Sequence, residues 1–321
     1  MQSIPYQFYP LTVTLVDDDA DLLDSLQLTL VDKYRCQSFT SPNEAIKFLT
    51  SNQKQYENEE KQNLDVSYAA PLSIAVNVEV GNIYKKIFDK NRFKKSVILV
   101  VDYNMPEING LELSKKLKAA GIEVKIIMLT GVADQQTAIN AFNHKQIDRF
   151  LVKSAVDYNE KLLEYIDELQ ADYFVEHGRE ISSSINALSD PAFIELFHQI
   201  IKEKNIVEYY LYDESGSFLM FDIMAKPMLL LVRTSDDMGM YYDFAESEGK
   251  VGQQDLDALK NREQVVLFVD REGLIPAFKN WICVPASKLT DDIYYGILDG
   301  MDQKLLNLND ITSYHEFLEM S

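Results

Sequence analysis

Residues 97–113 read VILVVDYNMPEINGLEL, and the aspartate that ends the apolar run, Asp102, sets the fold and the chemistry. Three other runs share its form. LTVTLV at 11–16 ends in Asp17, Asp18 and Asp19, IIMLT at 126–130 ends in Thr130, and RFLVK at 149–153 ends in Lys153. Each is β-branched and apolar up to a polar final residue, the pattern of a strand buried on both faces of a parallel sheet. In an open parallel sheet, ligands bind in the crevice beyond the carboxyl ends of the strands. The acids, the hydroxyl and the ammonium are therefore expected to meet at one edge. Carboxylates crowded together raise one another's pKa unless a cation neutralises them. A site of oxygen ligands with room for a phosphate suits Mg²⁺.

Between these runs the chain reads as helices. Helix 20–33 carries Leu22, Leu23, Leu26 and Leu30 behind an Asp19 N-cap, and strand 35–39 follows. Ser41-Pro42 opens a helix to about Thr50. Helices over 110–120 and 134–143 flank a strand over 123–129. These alternate as α/β, a doubly wound five-stranded parallel sheet.

The acidic pair Asp17 and Asp18, the VVDYNMPEINGLEL segment, MLTG ending at Gly131 and FLVK ending at Lys153 resemble, in order and spacing, the receiver domain of two-component response regulators. CheY is of this kind, with the flavodoxin-like strand order. The resemblance covers residues 10 to about 170, with one insertion. It implies that Asp102 accepts a phosphoryl group from a histidine kinase or phosphotransfer protein. It implies that Asp17, Asp18, Asp102 and the Asn104 carbonyl hold Mg²⁺, and that Lys153 pairs with the phosphate. It also implies that Thr130 and Phe150 shift on phosphorylation. One departure stands out: Ser154 occupies the position after the lysine, where the family usually has proline.

The domains follow: a receiver over 1–155 with an insertion at about 51–95, a helical signalling linker over 156–204, and an α+β output domain over 205–321. In the insertion, SNQKQYENEEKQN (51–63) is expected to be a mobile polar loop and AAPLSIAVNVEV (69–80) a short strand. The lysine-rich segment 82–95 reads as a solvated helix face, or else as a docking surface for an acidic partner. In the linker, Leu162, Ile166, Leu169 and Tyr173 keep helical spacing, predicting a long helix that can pair two subunits. A second helix starts at Asp190-Pro191. The runs VEYYLYD, SFLMFDIM and MLLLVRT, divided by ESG and AKP turns, predict an antiparallel meander, with further strands at VVLFVD and IYYGILD.

Charge narrows the function. The chain carries a net −20, with 18 basic and 19 acidic residues before Ala155, and 13 basic and 32 acidic from there on. Nucleic-acid binding needs a Lys/Arg footprint, so a C-terminal half at −19 argues for a protein partner and against DNA. Neither metal-ligand spacing among His144, His177, His198 and His315 nor a nucleophile motif is present. This points to an output domain that is not an enzyme. The alternative is a receiver-gated enzyme or a PAS-like small-molecule sensor, with Tyr209, Tyr210, Tyr212, Tyr294 and Tyr295 lining a pocket; paired tyrosines on strands also suit a half-buried sheet. No signal-peptide pattern or run of about 18 apolar residues occurs, and Cys36 and Cys283 form no pair spacing. These observations predict a cytoplasmic protein without membrane contact.

Overall fold

Parallel strands need both faces covered, and the chain alternates strand and helix to cover them. The computed structural model describes residues 4–64, 86–131, 134–183, 185–249, 251–268, 281–300, 308 and 311–320. It divides into two units: one of residues 10–68, 91–174 and 317–321, the other of 1–9, 69–90 and 175–316.

The first unit is the doubly wound α/β domain expected from the sequence. β2 (Thr12–Val16), β3 (Cys36–Phe39), β4 (Ser96–Asp102), β5 (Lys125–Thr130) and β6 (Arg149–Val152) form one parallel sheet in the order β3-β2-β4-β5-β6. Every residue of β2 and β4 is buried. On one face Val16, Leu99, Val101, Ile126 and Met128 pack with Leu113 and Leu117 of α3 (Gly110–Ala119), Ala141 of α4 (Gln135–Asn143), and Ala45 and Leu49 of α2 (Pro42–Leu64). The pleat turns Val13, Leu15, Ile98, Val100, Ile127 and Leu129 to the other face, all buried. α1 (Ala20–Leu30) and α5 (Tyr158–Ser183) adjoin, since Lys33 and Tyr34, just past α1, both bond the Asp167 carboxylate of α5. Asp19 caps α1 as its sequence indicates, accepting from the Asp21 and Leu22 N–H groups at 3.0 and 3.2 Å.

The insertion departs from expectation. Residues 51–63 are not a loop but the continuation of α2 to Leu64. The segment lacks Gly and Pro, and Gln, Glu and Lys are good helix formers. Its first turn and a half is also pinned. Asn52 Nδ2 donates to the Lys94 carbonyl (3.0 Å) while its Oδ1 accepts from Ser96 N–H (3.0 Å). Gln53 does the same with Gly121 and Glu123, and the buried Tyr56 hydroxyl donates to Asn91 O at 2.8 Å. The strand expected at 69–80 lies outside the described residues, as does Lys85. From Lys86 onward the lysine-rich segment is not a simple solvated face: Lys86 pairs with Asp89 at 3.1 Å, and Arg92 is fully buried with its guanidinium 4.0 Å from the Phe93 ring centre.

The second unit holds an antiparallel six-stranded sheet in the order β1-β7-β8-β9-β13-β12, built from β1 (Gln7–Phe8), β7 (Ile206–Leu211), β8 (Phe218–Asp222), β9 (Pro227–Thr234), β12 (Ser287–Lys288) and β13 (Ile293–Asp299). The predicted meander is β7-β8-β9. A separate ribbon, β10 (Gln264–Phe268) with β11 (Trp281–Pro285), lies against β13 at Gly296, where an added Cβ would meet Val265 Cγ2 at 2.6 Å and Pro285 O at 2.9 Å. α6 (Pro191–Lys204) starts at Asp190, whose side chain caps the Ala192 and Phe193 N–H groups. α7 (Ser235–Glu248), α8 (Gln253–Lys260) and α9 (Tyr314–Glu319) complete the described elements. The expected ranges differ from this division at both ends of the receiver: β1 pairs with β7, Gln7 opposite Tyr210, so the first nine residues belong with the second unit, and the first unit runs past residue 155 to 174, taking in the start of the expected 156–204 linker. Among the described residues no helix is long and apolar enough to cross a membrane.

Candidate functional site

The strand ends bring the expected residues together. Asp17 follows β2, Asp102 ends β4, Thr130 ends β5 and Lys153 follows β6. Lys153 Nζ lies 2.8 Å from Asp17 Oδ2 and 2.8 Å from Asp102 Oδ1. Asp17, Asp18 and Asp102 each present a carboxylate oxygen, all within 4.8 Å of one another. Asp17 and Asp102 are buried and Asp18 is exposed, leaving the cluster open to solvent on one side.

Backbone groups fix these side chains. Asp19 N–H donates to Asp17 Oδ1 (3.0 Å) and Asn104 N–H donates to Asp102 Oδ2 (3.0 Å). Lys153 N–H donates to the Thr130 carbonyl at 3.0 Å, locking the lysine to the end of β5. Every peptide bond among the described residues is trans, including the one before Ser154. Gly110 begins α3 directly against Asp102; an added Cβ there would lie 2.4 Å from Asp102 O, a contact that Gly alone avoids.

Burial raises the Asp102 carboxyl above the ordinary aspartate range, outweighing its hydrogen bond with Lys153, and the Asp17 charge adds to the rise. Burial pulls Lys153 down, but its hydrogen bonds to Asp102 and Asp17 prevail and leave it above its ordinary value. Two carboxylates thus share one ammonium. The donor set is all oxygen, with charge to spare, and fits a hard divalent cation such as Mg²⁺.

Thr130 is buried, and its hydroxyl donates to Gly131 O at 3.0 Å. Phe150 is half-buried, with its ring edge-on to Phe142 at 6.2 Å. The two line different places: Phe150, Phe142, Arg149, Ala155 and Tyr165 surround a groove of about 400 Å³. Two residues near the site escaped sequence reasoning. Asp134 accepts from Asn104 Nδ2 at 2.5 Å, and burial, with the charges of Asp17 and Asp102 behind it, holds the Tyr158 phenol above its ordinary value. Neither belongs to a recurring motif, and only their loop positions after β5 and β6 could have flagged them.

Residues 73–167 match the response regulator receiver domain family, a stretch that starts beyond Asp17 and Asp18. Over the whole length, the chain is similar to the Legionella pneumophila response regulator LqsR, at 31% identity and a TM-score of 0.76, covering 99% of this chain and 97% of that one. The chain belongs to the response regulators of two-component signalling. A response regulator's receiver implies interaction with a histidine kinase or other phosphodonor. The acid cluster lies where receivers typically bind Mg²⁺. Partial likenesses include an adenylate cyclase from Rhodopirellula baltica (22% identity, 53% of this chain and 94% of that one, TM-score 0.34). Another is a receiver domain protein from Clostridium thermocellum (17%, 50% and 94%, TM-score 0.35). With such TM-scores they add nothing to the assignment. No curated protein matches the chain.

Proposed function

We propose that this response regulator is phosphorylated on Asp102 in a Mg²⁺-dependent transfer from a histidine kinase or phosphotransfer protein. The observation that carries the reading is the single ammonium of Lys153, 2.8 Å from both buried carboxylates. Asp17, Asp18, Asp102 and the Asn104 carbonyl would hold the ion, which when bound neutralises charge on the transferring phosphoryl group. An Asp102 oxygen attacks phosphorus, and the bond from phosphorus to the donor imidazole nitrogen breaks with its electron pair on nitrogen. Lys153 then turns from the carboxylates to a phosphoryl oxygen. Acetyl phosphate with Mg²⁺ is expected to give a hydroxylamine-sensitive acyl phosphate, and chelation by EDTA to prevent it. Equal labelling in EDTA would sink the metal-dependent reading.

Phosphorylation brings about −1.5 to −2 charge and three acceptor oxygens. The Thr130 hydroxyl can exchange Gly131 O for one of them, and Phe150 can follow into the space it leaves. That motion would reshape the groove lined by Phe142, Phe150 and Tyr165, the receiver face through which the signal and any homodimer contact would pass.

The output domain is proposed to act in the cytoplasm through binding and not as an enzyme; because residues 155–321 carry net −19, its target is proposed to be a protein and not DNA. Opposite charge on the partner would speed encounter and make it salt-sensitive. The beryllofluoride-loaded chain should show no sequence-specific DNA binding in electrophoretic shift assays at physiological salt. Nanomolar binding there would mean that a local basic face outweighs the global charge.

A further inference from the structure

Asp134 stands at the N-cap of α4, yet its side chain does not cap the helix. Asp19, Asn109 and Asp190, in the same place on α1, α3 and α6, all accept from backbone N–H groups of the first turn. Those N–H groups have no partner within the helix, and an Asp or Asn at the N-cap is their usual acceptor. Asp134 turns its carboxylate elsewhere: Oδ2 accepts from Asn104 Nδ2 at 2.5 Å. Asn104 in turn holds the phosphoacceptor, its N–H donating to Asp102 Oδ2 at 3.0 Å. On its other side, Asp134 N–H donates to Gly131 O at 3.2 Å. The same oxygen accepts the Thr130 hydroxyl at 3.0 Å.

One chain of bonds therefore runs from Asp102 through Asn104 and Asp134 to Gly131 O and Thr130. It belongs to the conformation in which the Thr130 hydroxyl is occupied by Gly131 O. Drawing Thr130 toward a phosphoryl group shifts Gly131 with it, and Asp134 is bonded to Gly131. A bond made in one conformation and broken in the other biases the equilibrium between them. We propose that the Asn104–Asp134 hydrogen bond is a latch on the unphosphorylated state, holding the start of α4 to the β4–α3 loop. When Thr130 leaves Gly131 O, the latch opens. The Asp134 carboxylate then swings to the N–H groups of Gln136 and Thr137, which an N-cap side chain reaches. The carboxylate thus has a partner in each state. Asn104 and Asp134 act here through Thr130, as positioning residues. The inference rests on the reading of Asp102 as phosphoacceptor and deepens it, by naming the contact that sets how readily the site loads.

The test is a double-variant cycle on the full-length chain, with beryllofluoride and Mg²⁺ titrated by calorimetry. Asn104 is exposed and Asp134 half-buried, so neither truncation opens the core. Asn104→Ala keeps the backbone carbonyl and N–H and removes the latch. Its affinity for beryllofluoride is expected to rise about tenfold, the order of one hydrogen bond to a charged group. Asp134→Ala should raise it less, because the loaded state also loses the cap on α4. In the Asp134→Ala background, Asn104→Ala should change nothing further, since the amide then has no latch to release. The Asn104 side-chain amide resonance of the wild type, identified by its loss in Asn104→Ala, should move on loading toward its position in unloaded Asp134→Ala. An unchanged or lower affinity in Asn104→Ala would overturn the latch. So would an Asn104→Ala effect of equal size with and without Asp134, which would place the amide on the ion or the phosphoryl group, and so would an amide resonance that stays in place. A wild-type chain that takes neither Mg²⁺ nor beryllofluoride would overturn the phosphoacceptor reading and the latch with it.

Discussion

Asp102→Asn should leave the chain unlabelled by acetyl phosphate and Mg²⁺, and should raise the thermal midpoint of the metal-free protein at neutral pH. The loss of label follows because the amide is a poor nucleophile, and Asp17, the other buried carboxylate on Lys153, is taken up as a ligand of the ion in this reading. The gain in stability follows from the sign of the Asp102 shift. Burial raises its pKa in the folded chain, so the group contributes stability below the ordinary aspartate value and loses it as pH rises through the raised value. At neutral pH the wild type has lost that contribution and holds two buried carboxylates on one ammonium. Asparagine never ionises, and Lys153 keeps Asp17 at 2.8 Å. The difference in midpoint between variant and wild type should therefore grow from acid toward neutral pH. It should shrink when Mg²⁺ is added, because the ion stabilises the wild-type acid set more. Label that persists in the variant would move the phosphoacceptor elsewhere. A lower midpoint for the variant at neutral pH would mean that the Asp102–Lys153 bond outweighs the cost of burying the charge.

The receiver was legible because its strands announce themselves. β2, β4 and β5 are short apolar runs buried along almost their whole length, and each ends at a residue too polar to be there without a reason. The meeting of Asp17, Asp102 and Lys153 at one sheet edge follows from that pattern, and the sheet order β3-β2-β4-β5-β6 is the one that the receiver resemblance implies. The continuation of α2 was hidden because its anchors, Asn52, Gln53 and Tyr56, bond to backbone carbonyls and N–H groups far along the chain. A polar stretch held by such long-range bonds looks the same in sequence as a loop. β1 was hidden for the opposite reason: two residues are too few to show a period, and only pairing with β7 makes them a strand. In the second unit the meander was legible from its turns, whereas α7 was not. Its apolar residues keep no clean stripe and Gly239 interrupts it, though Thr234 and Asp237 do form the capping box that starts it. Tyr158 and Asp134 show the limit for the site itself. Their place near the acids depends on how two loops turn, which no residue pattern in the sequence encodes.

Arg233→Met should destabilise the second unit by about 3–5 kcal/mol, the range for breaking a buried ion pair by removing one partner. Arg233 lies in β9 with 2% of its surface exposed. Its Nη1 donates to Asp213 Oδ2 at 2.8 Å, Ser217 Oγ at 2.9 Å and Val232 O at 2.6 Å. Nη2 donates to Val266 O of β10 at 3.2 Å, and the guanidinium lies 5.2 Å from the Tyr241 ring centre. One side chain thus ties together the β7–β8 turn, β9, the β10–β11 ribbon and α7. Methionine keeps most of the volume, so a cavity contributes little, and what is lost is the set of donors. Asp213 also organises its own turn, accepting from Ser215 and Ser217 N–H groups at 3.1 and 3.0 Å. Without the guanidinium its charge has no counterion among the described residues, and Asp213→Asn added to Arg233→Met should restore part of the loss. The chain's single tryptophan, Trp281, opens β11 opposite Phe268 and reports on the ribbon directly. Urea unfolding followed by its fluorescence should show the midpoint move down in Arg233→Met and partway back in the double variant. A change below about 1 kcal/mol, the scale of an exposed ion pair, would mean that Arg233 is not the tie between the ribbon and the main sheet. Beryllofluoride binding measured alongside would then show whether the ribbon's anchoring reaches the receiver: an unchanged affinity in Arg233→Met confines the effect to the second unit, and a weakened one makes the ribbon part of the signalling path.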